Sequence, residues 1–149
     1  MKKIIAVLSF IALAVSLGAQ NVEQPKREFR GAWIHIVGNT QMRTMTQDQI
    51  REMFIQTLDS LEQAGCNAVI FQVRPQADAF YESELEPWTR FLTGVQGQAP
   101  EPYWDPLEFI IKESHDRGME LHAWCNPYRV TSNDKEELAP DHLFYSNPD

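Results

Sequence analysis

The chain has 149 residues, with 21 acidic against 13 basic side chains and a formal charge of −8. That length allows one small domain with a real core. The acidic balance argues against nucleic acid or an anionic membrane as partner.

The first twenty residues differ from the rest. Lys2 and Lys3 precede an apolar run from Ile4 to Leu17, broken only by Ser9 and Ser16. Small Gly18 and Ala19 follow, then polar Gln20 and Asn21. This is the layout of a cleavable signal peptide over residues 1–19. The alternative, a membrane anchor, needs roughly 20 apolar residues, and the run is shorter. An exported protein, periplasmic or extracellular and without a membrane span after processing, is therefore expected. Cleavage after residue 19 leaves 130 residues. Loss of Lys2 and Lys3 leaves 11 cations against 21 acids, a net charge of −10. Residues 20–27 read as a polar N-terminal arm.

From there the pattern becomes regular. Gly31 to Ile36 is a strand candidate. Thr46 and Gln49 form a capping box, and Ile50, Met53, Phe54, Leu58 and Leu61 recur at helical spacing after it. Gly65 supplies the stop. Cys66 to Arg74 is the second strand. Residues 75–104 read as a long connection rich in proline, acids and aromatics. Asp105-Pro-Leu-Glu108 opens a second long helix, with Asp as cap and Pro in the first turn; Gly118 ends it. Met119 to Asn126 is the third strand, and residues 127–149 look irregular and polar.

Strands alternating with helices predict a parallel sheet with right-handed crossovers. A doubly wound nucleotide binder would carry a glycine-rich turn after its first strand. His35-Ile-Val-Gly-Asn-Thr40 has a single glycine, so the reading is an α/β fold, the N-terminal part of a (β/α)8 barrel. The mature chain is about half the roughly 250 residues of a complete one. It is expected to stop after the third strand, with residues 28–149 as a partial barrel domain. Its edge strands would then be unpaired, making it marginally stable alone.

Period two sorts each strand into two faces. Val69, Phe71 and Val73 suit packing under helices. Trp33, His35, Gln72, Arg74, His122, Trp124 and Asn126 fall on the opposite, inward face, towards the C-terminal ends of the strands. That set is aromatic and hydrogen-bonding, as hydroxyl-rich ligands require. Cys66 starts one strand and Cys125 ends another, too far apart for a disulfide; two buried free thiols are expected. No Cys/His metal spacing, nucleophile elbow or phosphate loop appears, so no cofactor is expected.

Two segments exceed generic strand pattern: Phe71-Gln-Val-Arg-Pro-Gln-Ala-Asp-Ala-Phe-Tyr81, with Glu86-Pro-Trp88 after it, and His122-Ala-Trp-Cys-Asn-Pro-Tyr-Arg129. With Arg30-Gly-Ala-Trp33, Asp105-Pro-Leu-Glu108 and Asp116-Arg-Gly-Met119, they resemble the glycosyl-hydrolase-like family 10 (domain of unknown function 187) over about residues 28–130. The resemblance implies a (β/α)8 glycoside hydrolase acting on a polysaccharide or oligosaccharide, with bacterial cell-wall glycan as a plausible class. It carries Gln72, Arg74, Asp78, His122, Trp124, Asn126, Tyr128 and Arg129 over as substrate-binding wall residues, beside Trp33 and His35. The catalytic acids are expected on later strands, beyond Asp149. Glycosidic cleavage usually needs two carboxylates about 5–9.5 Å apart, and no convincing pair stands out here. Asp105 reads as a cap, Glu82, Glu84 and Glu86 as a solvated loop run, and Asp78 as a substrate or structural ligand. The fragment is thus expected to be inactive itself; the alternative is a carbohydrate-binding or structural remnant.

Overall fold

A computed structural model describes residues 27–132, 135 and 137–146. The signal peptide and most of the N-terminal arm read from the sequence lie outside the described residues. Three strands, β1 (Gly31–Ile34), β2 (Ala68–Arg74) and β3 (Glu120–Cys125), form a parallel sheet in the order β1-β2-β3. Trp33 lies opposite Ile70, and Ile70 opposite His122. Two long helices connect them, α1 (Gln47–Gln63) and α3 (Pro106–Asp116). Between β2 and α3 lies a one-turn helix, α2 (Arg90–Thr93), and after β3 comes another, α4 (Leu143–Ser146).

Both long helices begin where the sequence places them. Thr46 accepts from the Gln49 N–H, and the Gln49 side chain accepts from the Thr46 N–H, closing the capping box. Asp105 Oδ1 accepts from the N–H groups of Leu107 and Glu108, with Pro106 in the first turn. Gly65 and Gly118 take positive φ just beyond the helix ends. Thr46→Ala should cost about 1 kcal/mol of helix stability, measurable as a lowered urea midpoint with unchanged slope.

The core forms on one face of the sheet. Val69, Phe71 and Val73 of β2 pack against Ile50, Phe54 and Leu58 of α1 and Ile110 of α3. Phe54, Phe71 and Phe80 meet edge to face, with centroids 5.5–6.3 Å apart. Sequential strand order with both long helices on one face is compatible with a segment of a βα barrel.

Two expectations need correction. The connection 75–104 is not merely a loop: Ala77, Asp78, Ala79, Phe80, Thr89, Phe91 and Leu92 are all buried. A bridge between Ala79 and Trp88 folds it back on itself, and the Phe80 N–H returns to the Val73 carbonyl. Its apolar residues follow no helical or strand period because they descend into the core from turns. The cysteines are free, but neither is buried; Cys66 is half-buried and Cys125 exposed. Cys125 ends an edge strand whose Ala123 is also open to solvent.

Candidate functional site

The face of the sheet opposite the core carries the aromatic and polar side chains. Trp33 and Trp124 meet edge to face, centroids 5.0 Å apart, and Trp33 is 65% exposed. The register explains the contact. Trp33 sits across from Ile70 and Trp124 from Gln72, so the two rings are diagonal neighbours across β2. Trp124 Nε1 donates to Asn126 Oδ1 at 2.9 Å, and Asn126 Nδ2 donates to the Pro75 carbonyl at 3.0 Å. The Asn126 amide is thereby fixed in orientation, and the indole with it.

Arg74 ties this cluster to the connection above it. Its Nε lies 2.8 Å from both carboxylate oxygens of Glu86, Nη2 also donates to Glu86, and Nη1 donates to the Asn126 carbonyl. Both side chains are 17% exposed. The Glu86 carboxylate holds the Arg74 guanidinium above its ordinary pKa. The reading of Glu86 as part of a solvated loop run is therefore wrong: with its proline-turn it returns twelve residues later to close on Arg74. No local period marks such a return; only its place in the Glu86-Pro-Trp88 motif did.

Trp33, Arg74, Trp124 and Asn126 are thus brought together. His122 lies on the same face but nearer the start of β3, its Nε2 3.2 Å from Glu120 and its ring edge-on to Phe29. His35 is exposed, with Nδ1 3.0 Å from the Val37 carbonyl. Tyr128 and Arg129 are exposed beyond the end of β3, Tyr128 at 95%.

Two predicted wall residues are interior. Gln72 is buried, and its Oε1 accepts from the N–H groups of Ile36 and Val37 at 3.0 and 3.2 Å. It fastens the segment after β1 to β2. Asp78 is fully buried: Oδ1 accepts from the Gln76 N–H at 3.1 Å and Oδ2 from Gln96 Nε2 at 2.9 Å. Burial pushes its carboxyl above the ordinary value, against hydrogen bonds from Gln96 and Thr89 that pull it down. Ala77 between them takes a left-handed φ of 50°, a strained conformation for a residue with a Cβ. Sequence reasoning missed Gln96, Thr89 and Glu86 as partners because each contact is made by a distant loop.

Two further upper acids, Glu82 and Asp105, are also engaged. Glu82 accepts from the Tyr103 hydroxyl, which raises the Tyr103 pKa to about 12. Asp105 caps α3, and its Oδ2 accepts from the Glu82 N–H. Among the described residues, no cluster of His, Cys, Asp and Glu could hold a metal ion. No described helix is long and apolar enough to cross a membrane.

The sequence matches the glycosyl hydrolase-like 10 family over residues 28–145. It is 44% identical over 131 residues to the glycosyl hydrolase YngK of Bacillus subtilis (strain 168), covering 85% of this chain and 25% of that protein. It is 36% identical over 123 residues to the glycosyl hydrolase DigH of Escherichia coli (strain K12), covering 76% of this chain and 28% of that protein. The chain spans about a quarter of the length of these relatives. The match runs from just before β1 into α4 and takes in every element of the fold, and the chain belongs to the glycosyl hydrolase-like 10 family.

Proposed function

We propose that this chain supplies part of the glycan-binding wall of an exported glycoside hydrolase built on a (β/α)8 barrel. The observation that carries this reading is the open face bearing Trp33 and Trp124, with the Arg74–Asn126 cluster at its upper edge, in a member of a glycosyl hydrolase-like family. Two indoles at right angles offer apolar faces to sugar C–H groups, and the fixed amide beside them sets the orientation of the ring it holds. The signal-peptide pattern supports export, and a bacterial cell-wall glycan is the substrate class favoured for a protein sent there.

The catalytic carboxylates come, on this reading, from the part of the relatives' length that the chain does not match. Within the described residues Asp78 is enclosed, Glu86 is bound to Arg74, Glu82 to Tyr103, and Asp105 to a helix end. None is placed to protonate a leaving oxygen opposite a second free carboxylate.

The test is co-sedimentation of the purified chain with insoluble cell-wall glycan, alongside an assay for released reducing ends. Binding without release is expected. Trp124→Ala should weaken binding about tenfold, the loss of roughly 1.4 kcal/mol of aromatic contact. Absence of binding would sink the carbohydrate reading; release of reducing ends by the chain alone would overturn the assignment of the acids elsewhere.

A further inference from the structure

The one-turn helix α4 puts two aromatic rings into solvent and holds them there. Phe144 is 51% and Tyr145 56% exposed, and their rings meet edge to face with centroids 5.5 Å apart. A single helical turn does not order itself in water. This one is pinned by the fully buried His142 just ahead of it. Its Nε2 lies 3.0 Å from the Gln76 carbonyl, and its Nδ1 accepts from the Phe144 N–H at 3.2 Å. The His142 N–H donates to the Ala139 carbonyl, and the Tyr145 N–H to the His142 carbonyl, both at 2.9 Å. Ala139 is itself fastened, its N–H donating to the buried Gln96 side chain. The aromatic pair is thus fixed through its backbone while the rings stay half open. The support is shared with the sheet face. The Pro75 carbonyl receives Asn126, which orients Trp124, and the next carbonyl, that of Gln76, receives His142. Two perpendicular ring pairs are therefore anchored on neighbouring residues, whose Cα atoms stand about 3.8 Å apart.

We propose that Phe144 and Tyr145 form a further saccharide subsite at the rim of the wall, engaged by a glycan chain already held on Trp33 and Trp124. The choice of a saccharide rests on the glycan reading above. The size of the patch supports it on separate grounds. An aromatic side chain buries about 150–250 Å², so two half-open rings offer on the order of 200 Å². A stable protein interface needs about 800 Å² from each partner. Even with the half-open Leu143 beside the rings, a second copy of the chain would not find that area here. A ligand that covers one ring face at a time has no such requirement. The exposed Asp141 just before the anchor, and the net charge of −8, disfavour an anionic ligand. Sugar hydroxyls suit the rim, because each can donate to a carboxylate and exchange hydrogen bonds with a tyrosine hydroxyl. The ligand class is therefore a neutral oligosaccharide, long enough to reach from the sheet face to α4.

The full chain is titrated by calorimetry with N-acetylglucosamine oligomers of two and of five units. Phe144→Leu combined with Tyr145→Leu removes both flat faces but keeps apolar bulk and the backbone donors, so the His142 anchor persists. An unchanged urea midpoint checks this; if the midpoint falls, the single variant Tyr145→Leu takes its place, with about a threefold loss expected. The double variant should bind the pentamer about tenfold more weakly and the dimer within about twofold of the wild type, because the sheet face takes the dimer. Trp124→Ala should weaken both. Phe144→Tyr combined with Tyr145→Phe keeps two flat rings and should keep the pentamer affinity. Pentamer binding indifferent to the leucine variants, with Trp124→Ala still harmful, would overturn the subsite and leave the glycan reading standing. Equal losses for dimer and pentamer would overturn its place as a separate subsite. Failure of the wild type to bind either oligomer would overturn the subsite, and the glycan reading would fall with it only if insoluble cell-wall glycan is not retained either.

Discussion

Arg74→Ala should lower the stability of this domain by about 3 kcal/mol, the lower end of the cost of breaking a buried ion pair from one side. The side chain closes three connections at once: both oxygens of Glu86, and the carbonyl of Asn126. Truncation leaves the Glu86 carboxylate, 17% exposed, without its counter-charge, and leaves the Asn126 carbonyl short of a donor. Arg74→Lys keeps the charge but not the planar fork, so it should fall between the two. Arg74→Met combined with Glu86→Leu removes both charges and should recover most of the loss, because an apolar pair replaces an ionic one at little net cost. Chemical unfolding of the wild type, Arg74→Met, Glu86→Leu and the double variant closes the cycle that measures the coupling. A loss within about 0.5 kcal/mol for Arg74→Ala would mean that the pair behaves like an exposed surface bridge, and that the anchoring of the connection over the site has been misread.

The site follows from the same pair. Trp124 is oriented by Asn126, Asn126 by Pro75 and Arg74, and Arg74 by Glu86. The functional prediction for Trp124→Ala therefore has a companion: Glu86→Gln should also weaken glycan binding, though Glu86 itself stands behind Arg74 rather than on the aromatic face.

What could be read in the sequence was whatever is encoded locally. The caps at Thr46 and Asp105, the stops at Gly65 and Gly118, and the alternation along β2 all depend on residues within a few positions of one another. Each appears in the fold where the spacing puts it. The face bearing Trp33, His122 and Trp124 was legible for the same reason. Contacts between segments were not. Gln72 shares a strand face with Trp124 by alternation, yet its amide oxygen is taken up by the N–H groups of Ile36 and Val37, two residues with no sequence mark for that role. The segment from Pro75 to Trp104 hid most, because turns bring its apolar side chains into the core without any period. The closing helix α4 is a single turn among polar residues, and its anchor, the buried His142, gave no signal at all. In the fold the Phe144 N–H lies 3.2 Å from His142 Nδ1, so the neutral ring can donate from Nε2 to the Gln76 carbonyl.

Asp78→Asn should destabilise the domain by about 2 kcal/mol, despite conserving shape and removing a buried charge. The reason is donor geometry. One carboxylate oxygen receives the Gln76 N–H and the other the Gln96 amide. Gln96 cannot turn its amide over to adapt, because its Oε1 accepts from the Ala139 N–H at 3.0 Å. Whichever way an asparagine is placed, its NH2 group meets a donor. The damage should spread along the chain: with Gln96 displaced, Ala139 loses its acceptor, and amide exchange should quicken from Ala139 through Phe144. The pH dependence separates this account from a simple loss of fit. Burial raises the Asp78 pKa in the folded state above the ordinary 3.8. Between those two values the folded protein holds more protons than the unfolded chain, so stability contributed by Asp78 increases as pH falls through that window and is lost as pH rises through the folded value. Thr89, beside it, has a hydroxyl free to rotate and accept from the protonated acid. The stability gap between the wild type and Asp78→Asn should therefore widen on acidification from neutral pH towards 3.8 and then level off. A gap that narrows over this range would mean that the carboxylate is stabilised in its charged form, with the Gln76, Thr89 and Gln96 donors outweighing burial.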